Sequence, residues 1–169
     1  KVMELQNIDK ARFKKHLNRF QGGLVVALLL LSLGLSELYV GLWSDGGSHF
    51  WLNAAAVATA AFIIAGVVGL VKNHPALTEV MYVWRLKNEL NRIYRASRKL
   101  DAALAANNPD ALVIKYYQLH ASRHLYQLED NTLTLDELNQ QIDDFDQKLA
   151  ELGLTISSGD YQPDLLNRL

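Results

Sequence analysis

Two long apolar segments constrain the fold of this chain more than any other feature. Residues 22–43 and 51–71 contain one charged side chain, that of Glu37. A helix rises about 1.5 Å per residue and the apolar core of a bilayer is about 30 Å thick, so about 20 residues span it. The sequence therefore predicts a membrane protein in which each segment crosses the bilayer as a helix.

Basic residues lie on only one side of the two predicted spans. The segments before the first span and after the second are rich in Lys and Arg, whereas the connecting loop, residues 44–50, contains neither. Lys and Arg favour the cytoplasmic side, so we predict that both termini are cytoplasmic. No convincing cleavage site follows the first span, which predicts a retained anchor rather than a signal peptide.

Small residues recur along one face of each predicted span. Helices in a bilayer associate by close packing, so small residues mark helix contacts. On the second span they follow helical steps of three and four, at Ala54, Ala58, Ala61, Ala65 and Gly69. On the first span Gly34 and Gly41 share a face with Glu37. We predict that these two faces meet inside a helical hairpin; the alternative is that one face contacts another subunit.

Glu37 is the acidic residue inside the predicted spans. It lies roughly 7 Å from the midplane, toward the outer end, by the helical rise. An acidic residue at the centre of a bilayer costs about 2.5 to 3.5 kcal/mol, so we predict that Glu37 does not face lipid. Three alternatives stay open: a proton or cation site, a polar contact to a partner subunit, or a carboxylate that reaches interfacial water near Tyr39 and Trp43.

The segment before the first span, residues 1–21, contains a basic amphipathic sequence, DKARFKKHLNRF. Such a sequence beside a span favours a helix that lies on anionic lipid, with about 1 kcal/mol from each basic residue near the surface. We predict an N-terminal interfacial helix with membrane lipids as its partner.

The segment after the second span, residues 72–154, shows three helical patterns. Apolar residues recur at steps of three and four in 75–106, 109–128 and 135–152, with short turns between them. Short turns predict antiparallel neighbours. We expect Thr134 and Glu137 to form a capping box at the third helix and Gly153 to end it.

The predicted fold class is therefore an all-α membrane protein. It combines a two-helix transmembrane hairpin, a cytoplasmic three-helix antiparallel bundle and the N-terminal interfacial helix. Residues 155–169 show no persistent period, so we predict an extended tail with a weak helical turn at its end.

Two surfaces of the predicted bundle are candidates for a partner. The first of its helices is the longest, which leaves an apolar stripe at its membrane-near start, at Leu77, Met81 and Trp84. We predict that the N-terminal helix or the bilayer covers this stripe; a partner protein is the alternative. An acidic stripe, Glu137, Asp144 and Glu151, repeats every seven residues away from the apolar seam. It is either a solvated face or a docking surface for a basic partner.

The sequence does not predict a catalytic, cofactor or metal site. With no cysteine, the chain has no disulfide and no thiolate ligand. His120 and His124 are one helical turn apart, but no third ligand is placed with them, so we interpret them as half-buried imidazoles. Arg92, Arg95, Arg98 and Lys99 have the charge to bind phosphate, yet basic residues near a membrane also set orientation, and nucleic acid is not expected.

Several stretches of the chain resemble a family of small proteobacterial inner-membrane proteins known as a domain of unknown function. They are RFKKHLN, HPALTEVMYVWRLKNELNRIYR, NPDALVI and LEDNTLT. The resemblance implies a Gram-negative inner membrane and carries over no site or activity.

The function expected from the sequence is a non-enzymatic interaction or accessory subunit that anchors a cytoplasmic helical bundle to a larger membrane complex. Its partner is another membrane protein or further copies of the chain. The alternative is a homo-oligomeric channel or transporter component with Glu37 in a polar path.

Overall fold

A computed structural model of the chain describes residues 3–169, which form α-helices and 3-10 helices without a strand. The α-helices of this part are α1 (Lys10–Trp43), α2 (Phe50–Val71), α3 (Thr78–Arg95), α4 (Ser97–Ala105), α5 (Pro109–Glu129) and α6 (Leu135–Glu151). Short 3-10 helices cover Pro75–Leu77, Ser158–Asp160 and Pro163–Arg168. The chain divides into a hairpin unit, Ala11–Met81, and a helical unit, Tyr82–Leu169 with the N-terminal segment up to Lys10.

The helices α1 and α2 are long and apolar enough to cross a membrane. Both helices end at the residues where the predicted spans end, Trp43 and Val71. None of the most apolar window of α1 is buried, and only 11% of that of α2. A core helix of a soluble protein would be mostly buried, so this exposure supports association with a membrane.

The first predicted span is the second part of a longer helix. α1 runs for 34 residues, about 51 Å, from Lys10 to Trp43. The prediction of a separate N-terminal interfacial helix is wrong, because Gly22 and Gly23 lie inside α1 without interrupting it. A glycine inside a helix costs about 1 kcal/mol, too little to stop a cooperative helix that is favourable on both sides.

Polar side chains join α1 to α2 inside the hairpin unit. The hydroxyl of Ser36 donates to the Asn53 amide oxygen at 2.5 Å. The hydroxyl of Thr59 donates to the Ala55 carbonyl at 2.8 Å and accepts from the Tyr39 hydroxyl at 2.9 Å. These bonds satisfy polar groups within an apolar segment, where each unmade bond is costly.

The helical unit has α5 at its centre, with α4 and α6 packed against it. One apolar cluster joins α5 to α6 and consists of Leu112, Leu119, Leu138, Ile142, Phe145 and Leu149. Ile114, Tyr117 and Ala121 on α5 are fully buried as well. The N-terminal segment is part of this unit, because the Gln6 amide donates to the Tyr82 hydroxyl at 2.9 Å and Lys10 forms an ion pair with Asp130.

The helix predicted over residues 75–106 is divided, so the prediction of one unbroken helix is wrong. The amide of Ala96 is shared between the carbonyls of Arg92 at 3.2 Å and Ile93 at 3.0 Å. Such sharing tightens the turn toward 3-10 geometry and separates α3 from α4. The predicted steps of three and four over residues 75–106 are those of the apolar seam, and each of its members is buried or partly buried: Val83, Leu86, Leu90, Ile93, Ser97, Leu100 and Leu104.

The ends of α5 and α6 show which capping predictions hold. Asn108 caps α5 as expected, accepting from the amides of Asp110 at 2.9 Å and Ala111 at 3.2 Å. The capping box at Thr134 is wrong: its φ of −111° and ψ of 6° are not the extended geometry of a cap, and its side chain makes no capping bond. Gly153 ends α6 with a φ of 66°, as predicted.

The C-terminal tail is more ordered than predicted. Its last residues form the 3-10 helix Pro163–Arg168, consistent with the expected turn, and both 3-10 helices of the tail contact α5. Tyr161 is fully buried and Leu165 is buried. One aromatic and one aliphatic side chain therefore anchor a segment that lacks any apolar period.

Candidate functional site

Glu37 lies on an exposed face of α1 within the hairpin unit. Among residues 3–169 its carboxylate makes no hydrogen bond or ion pair, and Gly34 and Gly41 on the same face are exposed. Successive helical residues are rotated by about 100°, which places this face on the other side of α1 from Ser36 and Tyr39. The face therefore points away from α2.

The small residues of α2 point away from α1 as well. The ridge of α2 consists of the five predicted small residues, Ala54, Ala58, Ala61, Ala65 and Gly69. All five are exposed, and a Cβ added at Gly69 would meet no atom within 4 Å. Ala56 and Ala60 are fully buried instead, on the face that carries Thr59. The prediction that the two small faces meet inside the hairpin is wrong, because the hydrogen bonds of Ser36 and Tyr39 turn different faces inward. Contact of either face with another subunit stays a prediction.

The apolar stripe at the start of α3 is only partly available. Leu77 is buried, Met81 is partly buried and Trp84 is 60% exposed. In the hairpin unit the N-terminal part of α1 contacts the start of α3, where Glu79 accepts from Arg12 Nε at 2.9 Å and pairs with His16 Nδ1 at 3.3 Å. The contact brings the N-terminal part of α1 to the start of the stripe, and the burial of Leu77 removes it from the candidate partner surface.

Glu79 is the charged centre of that contact. A hydrogen bond from its own backbone amide lowers the pKa of the carboxyl group, and His16 and Arg12 lower the pKa further against the opposing effect of burial. The carboxylate is therefore ionised at neutral pH and pairs with both α1 side chains.

The predicted acidic stripe of α6 is exposed at all three positions, Glu137, Asp144 and Glu151. The side-chain amide of Gln140 donates to Asp144 at 3.0 Å, and that of Gln147 donates to Glu151 at 3.2 Å. Two of the three carboxylates are therefore oriented by neutral amides, which bring no positive charge to the stripe.

A buried carboxylate in the helical unit was missed from the sequence. Glu89 is 6% exposed. Its Oε1 accepts from the Tyr161 hydroxyl at 2.6 Å, and Arg92 Nη1 donates to both carboxylate oxygens at 3.1 and 3.0 Å. The spacing of Glu89 could have predicted its burial. It lies three residues after Leu86 and four before Ile93, and therefore on the same helix face as the apolar seam.

The ring of Tyr161 stacks on that of Tyr117, with centroids 4.1 Å apart and planes 13° apart. Burial raises the pKa of both phenols, and the bond to Glu89 raises that of Tyr161 further. Both therefore stay protonated at neutral pH. This arrangement gives Glu89 a neutral donor on one side and a guanidinium on the other, which suits a structural tie between the tail and α3.

The two histidines of α5 are half-buried, as the sequence predicted. His120 stacks on Tyr116 with centroids 4.1 Å apart, and His124 contacts the edge of Tyr82. The Nε2 atoms of both rings are buried and have no hydrogen-bond partner in the described part of the chain, and burial lowers the pKa of both imidazoles. Across residues 3–169 no three His, Cys, Asp or Glu side chains group as metal ligands.

Comparison with known proteins gives a family and no function. No curated protein and no solved structure matches the chain. Residues 3–166 match the family described as "Protein of unknown function (DUF3087)". This match covers nearly the whole chain and agrees with the resemblance of its sequence stretches to an uncharacterised family. The chain belongs to this DUF3087 family.

Proposed function

We propose that this protein is a non-enzymatic accessory or interaction subunit of the bacterial inner membrane. The hairpin unit is its anchor, with both termini in the cytoplasm. The helical unit is displayed there as an antiparallel three-helix bundle, and the protein joins a larger membrane complex through the outward faces of the hairpin.

The observation that carries this proposal is the position of Glu37. Its carboxylate lies between Gly34 and Gly41 on the face of α1 that points away from α2. A charged residue within a span is expensive in lipid, and small residues allow close approach of another helix. A helix of another subunit, packed on this face, would shield Glu37 from lipid and could approach closely at Gly34 and Gly41.

The ridge of α2 supports the same proposal from the other helix. Ala58 and the other four ridge residues form an exposed face opposite Ala56 and Ala60. The hairpin therefore offers a small-residue face on each of its helices.

Purification from native membranes in mild detergent tests the proposal. We expect the wild-type protein to carry a second protein in fixed stoichiometry. Ala58→Leu should lose that component, because a large side chain on the ridge blocks close approach. Ala55→Leu is the matched control, since Ala55 is exposed but lies off the ridge, and it should retain the component. Recovery of the wild-type protein as a monomer alone contradicts the proposal.

A homo-oligomeric channel or transporter component is the second candidate. It is favoured by the absence of any hydrogen bond or ion pair to Glu37 within residues 3–169. In such an assembly several copies of Glu37 would line one polar path. Recovery of a ring of identical copies in the same purification supports this alternative.

A further inference from the structure

A groove with basic walls lies in the helical unit where α3 gives way to α4. It encloses about 500 Å³, within the range of about 300 to 1,000 Å³ usual for small-molecule sites. Its walls carry four cationic side chains, and the last 3-10 helix closes the other side, so that the lining includes Arg92, Arg95, Arg98, Lys99, Leu166 and Asn167. None of the lining residues is acidic.

The fold explains why there is space for a ligand here. Ala96, at the break between α3 and α4, is part of the wall, and its methyl group leaves the groove open between the longer side chains. The opposite wall depends on the tail, which buried Tyr161 and Leu165 hold to the unit.

Three of the four cations have no ion-pair partner in the described part of the chain. Arg95, Arg98 and Lys99 make no ion pair among residues 3–169, whereas Arg92 uses Nη1 for Glu89. Arg98 and Lys99 also lie in the first turn of α4, where the helix dipole disfavours positive charge. An anion in the groove would relieve this unfavourable cluster.

We propose that the groove binds a phosphate group carrying two or more negative charges. Guanidinium groups match phosphate oxygens with paired hydrogen bonds, and a lysine adds a point charge. Three uncompensated cations exceed what one carboxylate would neutralise. The phosphate belongs either to a free phosphorylated compound or to a lipid headgroup with a phosphate monoester.

Calorimetric titration of the full chain in an uncharged detergent tests this proposal. The probes are pyrophosphate, for a free compound, and dihexanoyl phosphatidic acid, for a headgroup; dihexanoyl phosphatidylcholine is the zwitterionic control. The groove variant Arg95→Gln/Lys99→Gln is compared with Arg85→Gln/Lys87→Gln, which removes the same charge from α3 outside the groove. Circular dichroism checks that each variant keeps its helix content.

We expect the groove variant to weaken binding at least about tenfold while the control pair binds like the wild type, as loss of charge-assisted hydrogen bonds predicts. Groove-dependent binding of pyrophosphate assigns the site to a free phosphorylated compound. Groove-dependent binding of phosphatidic acid alone assigns it to a lipid headgroup. The proposal is overturned if neither probe binds more tightly than phosphatidylcholine, or if both variants weaken binding equally.

Discussion

The hydroxyl of Tyr161 donates a 2.6 Å hydrogen bond to the carboxylate of Glu89, 72 residues earlier in the chain. This bond lies in the interior of the helical unit and connects the C-terminal tail to α3. A carboxylate buried in an apolar seam is tolerated only when its oxygens are paired. Glu89 can therefore stay buried only while the tail is in place, and the tail is in turn held in place by Glu89.

Tyr161→Phe removes this donor without changing the shape of the ring. We expect the free energy of unfolding to fall by about 1 to 3 kcal/mol, since a buried charged acceptor loses a partner. Denaturant unfolding of the full chain in detergent, followed by circular dichroism, measures the change. Tyr94→Phe is the control, because Tyr94 is 73% exposed. Equal stability of the two variants would show that the bond contributes nothing.

Substitutions of Glu37 distinguish a contact with another subunit from simple access of the side chain to interfacial water. We expect Glu37→Gln to preserve assembly, because an amide still offers hydrogen-bonding atoms at this position, and Glu37→Leu to weaken it. Gel filtration of the detergent-solubilised complex measures both. If both variants assemble equally, Glu37 only reaches interfacial water. If Glu37→Gln abolishes ion or proton flux in liposomes while assembly survives, the channel hypothesis is favoured.

The acidic stripe gives a prediction that depends on salt. If it docks on a basic surface, partner binding should weaken between low salt and about 0.5 M salt, where the Debye length is well below 10 Å. Changing Glu137, Asp144 and Glu151 together to Gln should weaken binding too, with helix content unchanged. A complex that resists both changes is held by the spans or by the exposed side of Trp84.

The half-buried histidines of α5 predict a dependence of stability on pH. In the unfolded chain an imidazole has a pKa of about 6.5. Burial lowers the pKa of His120 and His124 in the folded chain, so between the lowered value and about 6.5 the unfolded chain binds more protons. Stability should therefore decrease as the pH falls through this window and be independent of these groups above it.

Melting temperatures of the full chain at about pH 7.5 and about pH 5.5 test this prediction. The variant His120→Gln/His124→Gln should show a smaller difference between the two values than the wild type. Glu79 does not interfere, because the hydrogen bond from its own backbone amide, with His16 and Arg12, holds the pKa of its carboxyl group below the usual range. If the variant shows the same pH dependence of the melting temperature as the wild type, that dependence comes from groups other than these two histidines.

Local patterns in the sequence predict most helices of this chain, and tertiary contacts explain where they fail. The apolar segments 22–43 and 51–71 end at the same residues as α1 and α2, Trp43 and Val71, because the loss of apolar character also ends the helices. The break at Ala96 had no signal, since no proline or glycine marks it. Similarly, no local pattern tells that Tyr161 reaches Glu89.

The candidate site follows the same division. Periodicity identified the small-residue faces and the exposed acidic stripe, but not which faces of α1 and α2 would meet. That choice depends on the polar pairs Ser36 with Asn53 and Tyr39 with Thr59, which lie at least 17 residues apart in sequence. The basic groove needed the tail to close one wall, so only the basic residues on its α3 and α4 side were visible from the sequence.

We propose that the apolar hairpin keeps both termini on one side of a membrane. Reporter fusions at each terminus and in the loop between Asp45 and Ser48 measure this directly in living cells. We expect both terminal reporters to be active only as cytoplasmic fusions and the loop tag to be accessible from outside. A C-terminal reporter that is accessible from outside would contradict the proposed topology.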